Sequence, residues 1–365
     1  MLFVLLGFFV AYLTYSWLTL RVSHGTVWHY PLIGALPTIL QNLHRAHDWW
    51  HDYHRSTKCR TLAVNVAGNV LMSTTDKANV EHMLKTKWQN YTNGAGQRGC
   101  VLKDLLGNGI FAADGELWRE QRKTASREFS ANRFRSFMGV EFVNYSTELC
   151  NVVADHAKAK KAFDLNALFF QLTLDAFGHI AFGLNLGGLK GTPVPFAASF
   201  DSAQERMILR FNEPIWVWKL LRFFNIGAEK VLRKHLQTCN TFVYSLIQAR
   251  RDKVGKGLNL ENDIDLLSRC MDVSDSEVVK DDVYLRDMVI NFLIAGRDTT
   301  ACALSWLFYE LALNPDVEKQ LREEIDASLR GAVPIYDTMT ITSRTYALPP
   351  DMHVRDPAPA PLRPI

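Results

Sequence analysis

The feature that most constrains the fold of this chain is a long apolar segment with helical spacing, residues 281–313. An aspartate at its start, Asp281 or Asp282, can cap a helix, and the pair Asn314-Pro315 would end it. At 1.5 Å per residue this helix would be about 45–50 Å long, enough to cross a whole domain. A helix so long and so apolar must be covered by its neighbours, and we therefore predict that it is the central helix of a domain.

The middle of the predicted central helix carries a polar interruption, I-A-G-R-D-T-T-A, at residues 294–301. Gly296 alone should cost about 1 kcal/mol relative to alanine in a helix interior. Arg297 and Asp298 add desolvation costs unless partners or water satisfy them. Such a segment usually serves a function, and we predict that it faces an internal cavity.

The spacing within the interruption indicates what that function could be. Ala295 and Gly296 lie four and three positions before Thr299, so the three should share a helix face with space for a flat group. Thr299 can bond back to a carbonyl and loosen the helix. Asp298 beside Thr299 supplies a carboxylate and a hydroxyl, the parts of a proton relay. On these residues alone, a kinked helix with a buried polar defect is an equally good interpretation.

The rest of the chain is predicted to be mainly α with a small β element. Two β-leaning runs, Thr61–Val66 and Asn69–Thr74, are separated by Ala67-Gly68 and suggest a hairpin. The charged residues 255–280 are predicted to form a long surface connection. Further helices are predicted at about 76–86, 116–129, 131–158, 163–183, 197–211, 227–254 and 315–330.

The N-terminus predicts a membrane anchor. Residues 1–20 contain no charged side chain, and about 20 apolar residues span a bilayer core. A cleaved signal peptide is the competing interpretation, but the segment has no basic start and no small-residue cleavage site. Residues 21–40 follow as a connector that contains Pro31 and Pro37. We expect the lipid bilayer to be one partner of this chain.

Composition excludes several other classes of protein. Apolar residues make up 48% and charged residues 22% of the chain, which excludes wholesale disorder. A formal net charge of +3 gives no reason to expect a nucleic-acid partner. The six cysteines are scattered without a C-x-x-C pair, so we expect a reduced, cytosol-facing chain without a zinc site or other metal ligands of that kind.

Two motifs resemble those of one enzyme family, the cytochrome P450 superfamily of haem-thiolate monooxygenases. A-G-R-D-T-T, residues 295–300, is similar to the oxygen-binding motif of the family's central helix. N-G-I-F-A-A-D-G-E-L-W-R-E-Q-R-K, residues 108–123, contains the family's W-x-x-x-R pair as Trp118 and Arg122. The motifs occur in the family's order, and the resemblance extends over about residues 1–338.

The resemblance implies a role for each matching residue. Trp118 and Arg122 would hydrogen-bond a haem propionate, which agrees with guanidinium–carboxylate pairing; a surface cation–π pair is the alternative for these two residues. Ala295 and Gly296 would make room over the haem. The adjacent acid and hydroxyl, Asp298 and Thr299, would deliver protons to dioxygen.

The resemblance also implies the fold, the reaction and the partners of the complete protein. The fold would be the helical cytochrome P450 fold, and the cofactor would be haem. The sequences of both motifs are most similar to those of the fatty-acid ω-hydroxylase branch. This similarity implies insertion of one oxygen atom of O2 into an apolar substrate such as a fatty acid. An NADPH-dependent reductase would supply electrons, and the protein would lie at the endoplasmic reticulum membrane with its domain facing the cytosol.

The chain departs from the family pattern after residue 314. Neither an E-x-x-R pair nor the F-x-x-G-x-R-x-C-x-G loop that supplies the axial thiolate occurs there. Cys302 is predicted to be a small core residue, and Cys100 is the last residue of a partial match, G-Q-R-G-C at residues 96–100, that we assign to a surface loop. Six of the 13 prolines fall in the last 17 residues, which is typical of an extended tail.

We therefore expect an incomplete cytochrome P450-like domain at residues 41–338 and a divergent proline-rich tail at residues 339–365. Without the thiolate loop the chain as it stands should be inactive. The alternative, from a different class of function, is a non-catalytic, membrane-tethered helical fragment or binding protein.

Overall fold

The computed structural model describes residues 7, 9–12, 14, 34–66, 69–92, 97–130, 132–211, 213, 215–255, 265–272 and 281–329. Most of the predicted anchor, the connector as far as residue 33, the turn at Ala67-Gly68 and the predicted tail lie outside these ranges. Within them, no helix combines the length and the apolar character needed to cross a membrane.

The described residues form a mainly helical fold with one two-stranded sheet, as predicted. The strands β1 and β2 are Thr61–Val66 and Asn69–Thr74. Two 3₁₀ turns, Leu43–Arg45 and Trp88–Asn90, and a π-helical turn, His82–Thr86, accompany them. The helices are α1 Leu36–Gln41, α2 Ala46–Thr57, α3 Lys77–Glu81, α4 Gln97–Leu106, α5 Gly115–Ser130, α6 Asn132–Lys158, α7 Leu165–Phe182, α8 Pro195–Arg210, α9 Ile215–Phe224, α10 Gly227–Gly255, α11 Leu266–Asp272, α12 Asp282–Leu293, α13 Thr299–Leu313 and α14 Pro315–Leu329.

The chain divides into two compact units. The first unit comprises Met1–Gly107, Phe111–Leu117 and Asp201–Leu236. The second unit comprises Asn108–Ile110, Trp118–Phe200 and Gln237–Ile365.

The hairpin belongs to the first unit and confirms the predicted strands. β1 and β2 pair antiparallel, with Thr61 opposite Thr74. The alternation of β1 sends Leu62 and Val64 inward, and both are buried. Val64 packs with Ala35, Trp49 and neighbouring side chains in a small satellite core. The hairpin therefore has one covered face, which stabilises an otherwise marginal two-stranded sheet.

Helix α7 is largely buried within the second unit. Asp164 caps its start by accepting a hydrogen bond from the backbone N–H of Ala167, 3.1 Å away. Gly183 ends it in the left-handed conformation at φ 63°. Helices α6 and α13 pack against α7 around a common apolar cluster: Tyr145, Leu168, Phe169, Leu172, Ala176, Leu189 and Ala301.

The predicted central helix is present but is not uniformly buried. It consists of α12, a π-helical segment at Ile294–Asp298 and α13. Residues 285–293 of α12 are all buried, whereas α13 exposes large apolar side chains such as Trp306 and Leu313. The prediction of burial along the whole helix is therefore wrong for α13. Cys302, predicted to be a core residue, is likewise exposed because it lies on this half.

The predicted surface connection contains a buried helix. In α11, Leu266 and Leu267 are almost inaccessible to solvent, and Asp265 before it pairs with Arg250 of α10 at 3.0 Å. Residues 256–264 and 273–280 of the same segment lie outside the described ranges. The charged composition concealed this helix because its short apolar run L-L-S-R-C is too brief to show a period.

Candidate functional site

The polar interruption of the central helix adopts π-helical geometry. The π-helical segment spans Ile294–Asp298, and such local widening of a helix often occurs at functional sites. The Thr299 hydroxyl donates a hydrogen bond of 2.6 Å to the carbonyl oxygen of Ala295. The predicted back-bonding is thus present, and it lies where the helix widens.

Ala295 and Thr299 lie on an open face of the helix. Both residues are exposed, and their one-turn spacing places them together. The predicted internal cavity is not present over them, because no described residue covers this face. The arrangement offers a small side chain and a hydroxyl beside each other on an accessible surface.

Gly296 contacts a different neighbour from the one that sequence reasoning assigned. A Cβ at this position would lie 2.2 Å from Cδ2 of Phe177 on α7, so glycine is required for the close approach of the aromatic ring. Phe177 itself is buried. The predicted role of Gly296 beside a haem stays a prediction, while its packing role is visible in the structure.

Arg297 is almost completely buried, and its contacts offset part of the cost of burying its charge. Its guanidinium lies over the ring of Phe170, 5.0 Å from the centroid, and 5.9 Å from that of Phe200. It also pairs with the Asp298 carboxylate at 3.2 Å. Asp298 remains about one-fifth exposed, so this carboxylate is held by an internal cation but stays within reach of solvent.

Trp118 and Arg122 lie on α5 at the predicted i, i+4 spacing. Trp118 is half-buried, whereas Arg122 is exposed. Among the described residues, Arg122 has no hydrogen-bond or ion-pair partner. A guanidinium of this kind is available to an external carboxylate or phosphate.

A short loop links α5 to the central helix within the second unit. The backbone N–H of Asn108 donates a 2.7 Å hydrogen bond to the buried Asp287 carboxylate, and Gln121 of α5 donates to the Asn108 carbonyl at 2.8 Å. Arg286 pairs with Asp287 at 2.8 Å and compensates its charge. The helix that carries Trp118 and Arg122 is therefore fixed to α12 through Asn108.

Sequence reasoning did not identify Asp287 and Asn291 as part of this link. Both are buried, and the Asn291 side-chain amide donates to the Asp287 carbonyl at 2.7 Å. Two polar residues at i, i+4 in an otherwise apolar helix were a usable signal, because buried polar groups need partners.

Replacing Gly109 by alanine should destabilise this link. The added Cβ would lie 1.9 Å from Nδ2 of Asn291, so the amide would have to move and lose its hydrogen bond to Asp287. We expect the free energy of unfolding to fall by about 1–3 kcal/mol in urea titrations. In the double variant Gly109→Ala/Asn291→Ala the losses should be less than additive; full additivity would show that the two residues do not clash.

Cys100 was predicted to lie in a surface loop. It lies in helix α4 instead. It is exposed and belongs to the first unit. No group of three or more potential metal-ligating side chains occurs in the described part of the chain.

The residues of the second unit fit a haem in two respects. Arg122 supplies a cation without a partner among the described residues for a propionate, and Ala295 with Thr299 supplies an accessible face without bulky side chains. Gly296 does not add to this face, because Phe177 takes the space beside it.

Comparisons with known proteins agree with the two motifs. Residues 26–343 match the model of a family described as cytochrome P450. Relatives include cytochrome P450 704C1 of Pinus taeda, 36% identical over 306 residues, and cytochrome P450 704B1 of Arabidopsis thaliana, 37% identical over 315 residues. The alignments cover 82% and 81% of this chain and 58% of each relative, so the chain spans little more than half the length of these relatives.

A solved structure is similar in fold. The crystal structure of cytochrome P450DA heme domain aligns with a TM-score of 0.67 at 20% sequence identity. The alignment covers 86% of this chain and 65% of that one. The mainly helical architecture predicted from sequence is that of this structure.

Proposed function

The chain belongs to the cytochrome P450 family, and from this premise we propose that it forms part of a haem-dependent monooxygenase that inserts one oxygen atom of O2 into an apolar substrate. The observation that supports the proposal most is the π-helical segment, where the Thr299 hydroxyl and the Asp298 carboxylate lie at the edge of an open helix face. When bound, haem would supply the iron that activates dioxygen. The protein's own residues would bind that group and deliver protons beside it.

Arg122 would hold the haem by pairing with a propionate, and Trp118 would add its indole N–H. Hydrogen bonds to charged groups contribute about 1.5–3 kcal/mol each, and a guanidinium can bind a carboxylate through two parallel bonds. The link from Asn108 to Asp287 fixes α5 on the central helix, so the cation is held on a rigid element. Ala295 would face the bound group from the other helix.

The proposed relay uses the hydroxyl and the carboxylate in turn. In this geometry the Thr299 proton points to the Ala295 carbonyl, so rotation of the side chain is needed before the hydroxyl can donate elsewhere. Asp298 can replace the proton that Thr299 donates with one from solvent, because its carboxylate is partly exposed and is held in place by Arg297. Proton transfer by positioned side chains of this kind is typical of general acid–base catalysis.

The substrate and partners are proposed from the resemblance to the fatty-acid ω-hydroxylase branch. The motif D-G-E-L-W-R-E-Q-R-K, residues 114–123, and A-G-R-D-T-T, residues 295–300, carry that similarity. We propose a fatty acid as substrate and hydroxylation near its ω end. An NADPH-dependent reductase would supply electrons, and residues 1–20 would anchor the protein in the endoplasmic reticulum membrane with the helical domain on the cytosolic side.

Replacing Thr299 by valine tests the relay. In the protein expressed from its native transcript together with a reductase, we expect hydroxylated laurate per NADPH oxidised to fall at least about tenfold, because a positioned proton donor is lost. The matched control is Thr300→Val, which changes the neighbouring exposed residue. The relay would be rejected if Thr299→Val kept the same yield of product per NADPH.

The same assay separates the proposal from its rival. A non-catalytic helical binding protein would oxidise no NADPH above the rate of the reductase alone and would form no hydroxylated product. Laurate hydroxylation that requires both NADPH and the protein would exclude that rival.

A further inference from the structure

The first unit contains a pocket of about 390 Å³ between α4, the end of α8, α9 and the start of α10. Pockets of this size are within the range that binds small molecules. Its wall combines cations, two carboxylates and apolar side chains. None of these residues belongs to the π-helical segment or to α5.

A buried ion network forms one side of this pocket. Arg210 is 2% exposed and donates to both Glu229 oxygens, at 2.8 and 2.5 Å, and to Asp104 at 2.8 Å. Asp104 also accepts from Arg222 at 2.6 Å. The guanidinium of Arg210 lies 4.4 Å from the ring centroid of Trp218. Both carboxylates of the pocket are thus already paired.

The charge of Arg210 is fixed by these partners. Burial alone would lower the pKa of Arg210, but hydrogen bonds to Glu229 and Asp104 outweigh that effect and raise this pKa above its ordinary value. Arg210 therefore remains a cation at all physiological pH values and stays hydrogen-bonded to both acids. The network holds the pocket wall in one arrangement and leaves no carboxylate to neutralise the remaining cations.

Two cations of the pocket are left over. Lys219 and Arg233 line it, both are exposed, and neither makes an ion pair within the described part of the chain. Lys219 lies near the Trp218 ring, 5.8 Å from its centroid. Once the acids are paired, the pocket has an excess of positive charge that an anion can neutralise.

Apolar side chains lie beside these cations. Phe223 is 81% exposed, while Leu232 is buried and Leu236 is half-buried in the pocket wall. A ligand that satisfies both parts must carry an oxyanion at one end and an alkyl chain at the other. Burial of such a chain is favourable because it removes apolar CH₂ groups from water.

We propose that this pocket binds the oxyanionic head of a single-chain amphiphile, a carboxylate or phosphate monoester, between Lys219 and Arg233, with the alkyl chain along Phe223 and Leu236. The site requires neither haem nor turnover. Because a fatty acid is also the proposed substrate, laurate binding alone does not distinguish this pocket from the proposed haem site, and the Lys219 and Arg233 variants make that distinction.

The test is titration calorimetry of the full chain with four ligands below their micelle concentrations. Laurate and dodecyl phosphate share the oxyanionic head and should bind; dodecanol lacks the charge, and inorganic phosphate lacks the chain, so both should bind at least about tenfold more weakly. Stronger binding of laurate or of dodecyl phosphate would identify the head group as fatty acid or phosphate ester. Equal binding of dodecanol and laurate would overturn the proposal.

Substitutions of two pocket cations, Lys219 and Arg233, test where the ligand binds. Arg233→Gln and Lys219→Gln should each weaken laurate binding about tenfold, because one charge-assisted contact is lost. Lys230→Gln is the matched control. Lys230 is an exposed cation on α10, the helix that carries Arg233, but it does not line the pocket. All three positions are exposed, so the variants should keep their helix content in circular dichroism. Laurate affinity unchanged in Arg233→Gln, or reduced equally in Lys230→Gln, would contradict the assignment.

Discussion

Replacing Glu229 by leucine should lower the free energy of unfolding by about 3–5 kcal/mol. Glu229 and Arg210 form a bidentate ion pair with side chains 6% and 2% exposed. Removal of the carboxylate would leave two N–H groups of the almost inaccessible Arg210 guanidinium without their acceptors. Glu229 also lies in the first turn of α10, where a negative charge contributes a further 0.3–1 kcal/mol, roughly, through the helix dipole.

The double variant Arg210→Met/Glu229→Leu is the control for this prediction. Replacing a whole buried ion pair by apolar residues is often neutral, because the desolvation cost of the two ions disappears with their attraction. Asp104 would retain Arg222 as a partner. We expect urea unfolding to show that the double variant recovers most of the stability lost in Glu229→Leu. A loss below about 1 kcal/mol in the single variant would mean that the pair behaves like a surface salt bridge.

Replacing Gly296 by alanine is the second change with a large expected effect. The new Cβ would lie 2.2, 2.4 and 2.7 Å from three ring carbons of Phe177. Phe177 is buried and meets Phe182 edge-on at 6.2 Å, so its ring cannot move aside without disturbing α7. The gain in helix propensity, about 1 kcal/mol, does not offset overpacking of this severity, and we expect a net loss of about 2–3 kcal/mol.

A second substitution checks that the ring causes the loss. In Gly296→Ala/Phe177→Leu the smaller side chain makes room for the methyl group, so the double variant should lose less stability than the sum of the two single variants. Thermal and urea unfolding of the four proteins give this coupling energy. Additive losses would show that Gly296 is needed for some reason other than the Phe177 contact.

The sequence predicted the local elements of this fold well. β1 and β2 begin and end at the predicted residues, and Asp281 caps α12 by accepting from the Val283 N–H at 3.0 Å. These features depend on capping, alternation and helical period, which are local. Helices α1, α2, α4, α9 and α11 were not predicted, since a short or weakly periodic apolar pattern does not distinguish a helix from a strand or loop.

Burial was harder to predict than secondary structure. Apolar period alone cannot tell which half of a long helix its neighbours cover, and so the exposure of Trp306 and Cys302 was not expected. The partners of Arg297, the rings of Phe170 and Phe200, are distant in sequence and carry no local signal. The same limit explains why the Phe177 contact of Gly296 was not found.

The candidate site was predicted more completely than its surroundings. The bond from Thr299 to the Ala295 carbonyl and the loosened helix follow from the residue types at one-turn spacing. The link through Asn108 and Asp287 did not, because it joins residues far apart in the chain. Local chemistry therefore predicts the candidate residues, while the elements that position them are visible only in three dimensions.

The most direct test of the haem proposal is the haem affinity of the protein expressed from its native transcript, compared with Arg122→Ala and Lys123→Ala. Lys123 is the adjacent exposed cation on α5 and serves as the control. We expect the unchanged protein to bind one haem per chain. Because Arg122→Ala removes a charge-assisted bond worth about 1.5–3 kcal/mol, the haem affinity should fall roughly 10- to 100-fold in this variant but not in Lys123→Ala. Absence of haem, or equal affinity in the two variants, would contradict the account.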